Sequence, residues 1–149
     1  MPKAEFKDFG YQFRIESIKT VPSDLRDQFK NEISIIDQEL ISYYFNLNKD
    51  LTKNYIISIE NNHIGYCSIF EDEIYWNFYE IFIINDFREL GLGTQLFDLI
   101  KKDAKKNGKQ IRTYTLPSDR TAKNFYESNR VTARALIMEE KRSNSRYNI

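Results

Sequence analysis

An apolar run gives way to a glycine-bearing helix start at Ile83-Ile84-Asn85-Asp86-Phe87-Arg88-Glu89-Leu90-Gly91-Leu92-Gly93-Thr94, and no other segment restricts the fold of the chain so tightly. The first N–H groups of a helix lack intrahelical partners. The macrodipole places partial positive charge beside them, and glycines let a backbone approach a phosphate closely. Strand, loop and helix in that order predict an anion site, and a phosphorylated cofactor is the expected ligand.

The flanking elements follow from periodicity. Alternation over 11–20 predicts a first strand with an irregularity near Ser17. Ser23 or Asp24 is the expected N-cap of a long amphipathic helix with Leu25, Phe29, Ile33, Ile36, Leu40 and Tyr43 or Tyr44 on one face. Strands are predicted over 55–59, 64–70 and 74–84, joined by turns at Asn61-Asn62 and Glu71-Asp72-Glu73, as an antiparallel meander. A helix over 93–106 ends before Gly108, and a strand over 110–116 completes a crossover unit, which predicts parallel pairing. A short helix capped at Pro117-Ser118-Asp119 runs to Asn129; a last strand is expected over 131–141, then a polar tail over 143–149.

The 149 residues predict a single domain over 1–149. Lys plus Arg and Asp plus Glu number 22 each, so no global charge argues for nucleic acid. The lone Cys67 excludes an intrachain disulfide framework and fits a reducing compartment. Neither a leader pattern nor a membrane-spanning run is read, so a soluble cytoplasmic protein is expected. His63 lies at a turn with no metal-ligand cluster around it, and no metal is expected. Cys67 reads as a small core residue.

Three phosphate loops compete for the glycine segment. A P-loop requires Lys after its last glycine, and Thr94 follows Gly93. A dinucleotide fold requires three glycines at the start of a parallel unit. Arg88-Glu89-Leu90-Gly91-Leu92-Gly93 instead resembles the Gln/Arg-x-x-Gly-x-Gly/Ala loop of the GNAT acyltransferase superfamily. The second segment, Ala122-Lys123-Asn124-Phe125-Tyr126, resembles the superfamily's later signature, and the likeness extends over nearly the whole chain. Three positions depart from the pattern. The usual Pro before the loop is absent, Asp119 stands for the usual Asn, and Arg130-Val131 replaces the usual Gly-Phe.

The resemblance implies an α/β (α+β) GNAT fold. It has a mixed central sheet with an antiparallel N-terminal meander, a splayed parallel pair after the loop-helix, and helices on both faces. It also implies acetyl-CoA as co-substrate, held by the backbone of Glu89, Leu90, Gly91, Leu92, Gly93 and Thr94, with the Thr94 hydroxyl in reach. Arg88 can face the phosphates or brace the loop. The pantetheine arm is expected along Ile81, Phe82 and Ile83, where an N–H of Phe82 or Ile83 polarises the thioester carbonyl. Asp119 and Asn124 are further candidates on the donor side.

Glu80 interrupts an apolar strand and is the candidate general base, the alternative being a solvent-facing or salt-bridged carboxylate. Tyr126 takes the family's Tyr position, as donor to the departing thiolate or to its sulfur. The acceptor is expected to be a small-molecule or lysine-type amine. Tyr43, Tyr44, Trp76 and Phe78 are candidates for an aromatic wall, and Glu71, Asp72 and Glu73 for attracting a cation; an ordinary helix face and an acidic hairpin tip is the other reading. The leading expectation is an N-acetyltransferase, and the alternatives are a non-catalytic acyl-CoA-binding module or a different nucleotide-binding domain. A single final strand leaves the sheet edge open, and a homodimer is one way to complete it.

Overall fold

The computed structural model describes residues 2–38 and 50–140, with side chains from Ala4 onward. The expected helical continuation at Leu40, Tyr43 and Tyr44 and the polar tail over 143–149 lie outside the described residues. One sheet holds six strands in sequence order: β1 (Pro2–Asp8), β2 (Tyr11–Ile18), β3 (Lys53–Ile59), β4 (Asn62–Glu71), β5 (Tyr75–Ile83) and β6 (Gln110–Thr113). All neighbours are antiparallel except β5 and β6, which run parallel as the crossover predicts. Three described α-helices flank it: α1 (Ser23–Ile36), α2 (Leu92–Lys106) and α3 (Arg120–Ser128). The mixed α+β sheet with its parallel last pair is the fold the resemblance implied.

The sheet divides the apolar residues into two cores. Leu25, Phe29 and Ile33 of α1 pack with Ile56, Tyr66, Phe70, Tyr79 and Phe82. On the opposite face Leu96, Phe97 and Ile100 of α2, with Tyr126 of α3, meet Phe13, Ile15, Ile57, Cys67, Ile69, Trp76 and Phe78. Near-continuous burial along β5 arises because both its faces are covered. A bulge adds to this. Ser68 pairs with Glu80 and Ile69 with Phe78, so Tyr79 is an extra residue, and the parity of the strand changes there. Before the bulge Trp76 and Phe78 face α2; after it Ile81 and Ile83 do, while Tyr79, Glu80 and Phe82 turn toward α1.

Several expectations need correction. β1 was not expected; it is a charged edge strand held by a two-residue turn, Phe9-Gly10, in which both residues have positive φ. Pro22, not Ser23 or Asp24, occupies the N-cap of α1, with no side-chain cap. β6 stops at Thr113. The strand expected over 131–141 does not form in its described part: residues 131–140 belong to no element.

Candidate active site

β5 outruns its parallel partner. Pairing begins at Tyr75 with Gln110 and ends at Phe78 with Thr113, followed by one bond from Tyr114 N–H to the Phe78 carbonyl at 3.0 Å. Past that point the two chains part. Tyr79 and Ile81 on one side and Tyr114, Thr115 and Leu116 on the other line a cleft. Phe29 and Ile33 of α1, and Asp119, Ala122 and Tyr126 at α3, close its ends.

The pairing pattern decides which backbone groups face this opening. Ile84 N–H bonds the Ile64 carbonyl at 2.9 Å, and the register continues through Phe82 with Tyr66 and Glu80 with Ser68. Alternation then directs the N–H and C=O of Ile81 and Ile83 to the opposite edge, where β6 has ended. The expectation that included Phe82 is corrected here, since its main chain is committed to β4.

At the upper end of the cleft β5 leads through a short 3-10 turn, Asn85–Phe87, into the glycine loop. Glu89 and Gly91 are both left-handed, with φ of 65° and 77°. Gly91 is the N-cap of α2 and no side chain caps the helix. The first intrahelical bond of the ladder runs from Gln95 N–H to the Gly91 carbonyl at 3.1 Å. The N–H groups of Leu92, Gly93 and Thr94 therefore precede the ladder, as an anion site requires. The two glycines serve different needs. Gly91 supplies the left-handed turn. At Gly93 an added Cβ would sit 3.1 Å from the Phe125 ring, so its bareness lets α3 approach the first turn of α2.

Arg88 braces the loop. Its Nε donates to the Ile83 carbonyl at 2.7 Å, and its terminal nitrogen donates to both Glu32 oxygens at 2.7 Å. The guanidinium also lies over the Phe82 ring. Of the two roles open to Arg88, the structure places it in this one.

Glu80 is 3 % exposed and faces α1. Burial of a carboxylate is unfavourable without partners. Two are supplied to its Oε1: Arg26 Nε donates at 3.0 Å and the Tyr66 hydroxyl at 2.8 Å. Arg26 also donates to Ser68 Oγ at 2.9 Å, and Ser68 in turn donates to Asn54 at 2.6 Å. Burial, then the charge of Glu80, push the Tyr66 phenol far above its ordinary range, so it stays a neutral donor.

Tyr126 is 4 % exposed, lines the cleft, and packs against Phe97 and Phe125. Burial chiefly, with smaller contributions from Cys67 and Asp119, holds its pKa well above 10.0. Such a phenol donates a hydrogen bond more readily than it gives up a proton. Asp119 is the N-cap of α3: its Oδ1 accepts from Ala122 N–H at 3.0 Å while the residue lines the cleft. Asn124 is exposed on α3.

The acceptor-side candidates are redistributed. Trp76 and Phe78 are buried in the α2 core and form no wall. Glu71, Asp72 and Glu73 stand at the start of β5, the end away from the splay. Asp72 accepts from Ile74 and Tyr75 N–H and from Asn77, which holds its carboxyl below the usual range, and Lys109 bonds the tip carbonyls. That tip is a built hairpin end. At about 3.3 Å per residue it lies on the order of 20 Å along β5 from Glu80. Cys67 is fully buried, and burial raises its thiol pKa. His63 is exposed and pairs with Ser58 Oγ at 2.9 Å.

Sequence reasoning did not find Arg26, Glu32 or Tyr66. Arg26 and Glu32 sit on polar positions of α1 with nothing in their spacing to single them out. Among the described residues no helix is long and apolar enough to cross a membrane.

Comparison with known proteins agrees with this fold. A chain assigned as an acetyl transferase from Pyrococcus furiosus superposes with a TM-score of 0.68 at 20 % identity, covering 87 % of this chain and 99 % of that one. The aminoglycoside N-acetyltransferase AAC(6')-Iy in complex with CoA superposes with a TM-score of 0.56 at 14 % identity, over 91 % and 99 %. An aminoglycoside acetyltransferase, meta-AAC0020, from an uncultured soil sample in complex with sisomicin gives 0.59 at 16 %, over 88 % and 95 %. At these identities the likeness is one of fold. No curated protein matches the sequence. A family model described as an acetyltransferase (GNAT) domain matches residues 21–129. That match spans most of the chain, which therefore belongs to the GNAT acetyltransferase family.

Proposed function

We propose that this acetyltransferase takes acetyl-CoA as donor and passes the acetyl group to a primary amine by direct attack. The observation that carries this reading is the cleft between β5 and the chain beyond β6: Tyr126 lines it, Glu80 lies buried on β5 between the lining residues Tyr79 and Ile81, and β5 leads on to the uncapped start of α2. In this reading the N–H groups at the start of α2 hold the diphosphate. The open edge at Ile81 and Ile83 carries the pantetheine arm, and one N–H there polarises the thioester carbonyl. An amine is mostly protonated at neutral pH. Glu80 accepts the proton that the attacking amine sheds, directly or through water. Tyr126 stabilises the departing sulfur by hydrogen bonding.

The aminoglycoside acetyltransferases among the structural relatives support an amine of that general kind.

Calorimetry with acetyl-CoA, followed by thiol release across an amine panel, tests the reading. Gly91→Val is the informative variant. Nothing crowds a Cβ there, but a β-branched residue at a φ of 77° is strained. The loop would leave the left-handed conformation, and affinity is expected to fall about tenfold or more, from a penalty of roughly 1–2 kcal/mol. Unchanged affinity would overturn the placement of the diphosphate. Normal binding with no thiol released from any amine would leave an acyl-CoA-binding module instead.

A further inference from the structure

Both donors on Glu80 land on one oxygen. Arg26 Nε at 3.0 Å and the Tyr66 hydroxyl at 2.8 Å share Oε1, and among the described residues no hydrogen bond reaches Oε2. A carboxylate offers about four lone-pair sites over its two oxygens. Two donors saturate Oε1, and the remaining acceptor capacity lies on Oε2. The guanidinium is itself held. Its terminal nitrogen donates to Ser68 Oγ at 2.9 Å, and Ser68, fully buried, has its own hydrogen committed to Asn54 Oδ1 at 2.6 Å. The Asn54 amide then donates to the Lys19 carbonyl at 3.2 Å. Groups from α1, β3, β4 and the chain after β2 thus fix the guanidinium plane, and with it the carboxylate.

On the reading that Glu80 is the base, we propose that Arg26 is a positioning residue for it: with Tyr66 it occupies Oε1 and so assigns the proton of the attacking amine to Oε2. As the nitrogen lone pair forms the bond to the thioester carbon, the surplus N–H proton passes to Oε2, directly or through one water. The C–S pair then leaves on sulfur. Oε1 becomes the carbonyl oxygen of the neutral acid and still accepts from both donors. Neither donor has to move between the two states, so the transfer reorganises nothing in a buried network. The guanidinium charge also offsets the burial of the carboxylate. Arg26 faces Glu80 from α1 and Tyr66 from β4; the Cys67 thiol, also on β4, is a third titratable group that its charge reaches.

The full chain is compared with Arg26→Gln, Arg26→Lys and Tyr66→Phe, each checked for folding by circular dichroism. The Glu80 carboxyl carbon, assigned by its loss in Glu80→Gln, is titrated by NMR beside the kcat profile for an amine that supports thiol release. Loss of the cation disfavours the charged carboxylate, which then takes a proton at higher pH, and the acidic limb of kcat moves upward with it. Arg26→Gln is expected to move both by about 1–3 pH units. Arg26→Lys returns both toward wild type, and acetyl-CoA affinity stays near normal in calorimetry. Tyr66→Phe should move them in the same direction by less, and carries the test where Arg26→Gln does not fold. A carboxyl titration that stays in place in the folded variants would overturn the hold of Arg26 on Glu80. A carboxyl that moves without the limb would overturn Oε2 as the proton acceptor. The titration requires no donor: a chain that fails to bind acetyl-CoA would overturn the proposed function, and the role of Oε2 with it, while the titration still reads Arg26 on Glu80.

Discussion

The two faces of the sheet are built on different terms. The α2 face is almost wholly apolar, with Phe13, Ile57, Phe78, Phe97 and Ile100 fully buried. The α1 face carries a comparable apolar cluster, but through it runs a polar chain: Tyr66 and Arg26 on Glu80, Arg26 on Ser68, Ser68 on Asn54. A buried ion pair is weak evidence for stability, since an apolar replacement of equal shape often does as well. Among the described residues that pair lies on the α1 face, beside the splayed edge of β5, whereas the α2 face sends only Tyr126 toward the cleft and is otherwise built for cohesion; on the proposed function, the α1 face carries the proton acceptor.

Substitutions on each face should separate the two roles. Glu80→Gln keeps the shape and the hydrogen-bonding partners but removes the proton acceptor. Turnover with an amine that supports thiol release is expected to fall roughly 10²–10³-fold, with acetyl-CoA affinity near normal by calorimetry. A loss smaller than tenfold would place the base elsewhere. Phe13→Ala, on the α2 face and far from the cleft, should destabilise the fold by about 3–5 kcal/mol in urea titrations. Its folded fraction should retain ordinary turnover; a matching loss of rate would erase the distinction between the faces. The smallest effect is expected at Arg130. It is left-handed, with φ 68°, and its N–H bonds the Glu127 carbonyl while Val131 N–H bonds that of Tyr126. This helix ending favours glycine, so Arg130→Gly should stabilise by about 0.5–1 kcal/mol, read as a raised urea midpoint with turnover unchanged.

The same position shows what the sequence made legible. Arg130-Val131 departs from the family's Gly-Phe, yet the backbone there turns as glycine would and Val131 still packs on the core. The glycine loop, the crossover and both β5 and α2 could be read directly, because periodicity and positive-φ residues are local signals. β1 could not: Glu5, Lys7 and Asp8 set charge along it, and among its described side chains Phe6, stacked on Phe13 at 5.2 Å, ties the strand to the core. The bulge at Tyr79 could not be read either, since both faces of β5 are buried and no alternation betrays an inserted residue. The partners of Glu80 come from α1 and β4, and a contact across more than fifty positions of chain, as from Arg26 to Glu80, leaves no trace in spacing. The strand read over 131–141 had the right composition, but composition does not supply a neighbour to pair with.

Phe125 and Tyr126 are consecutive on α3, yet they look in two directions. The ring of Phe125 rests on bare Gly93 at the head of α2, and the phenol of Tyr126 faces the cleft. Whatever grips the head of α2 thus leans on the same helical turn that aims the phenol. Docking of the distant, unreactive end of a long donor would thereby be felt where its acyl group is released.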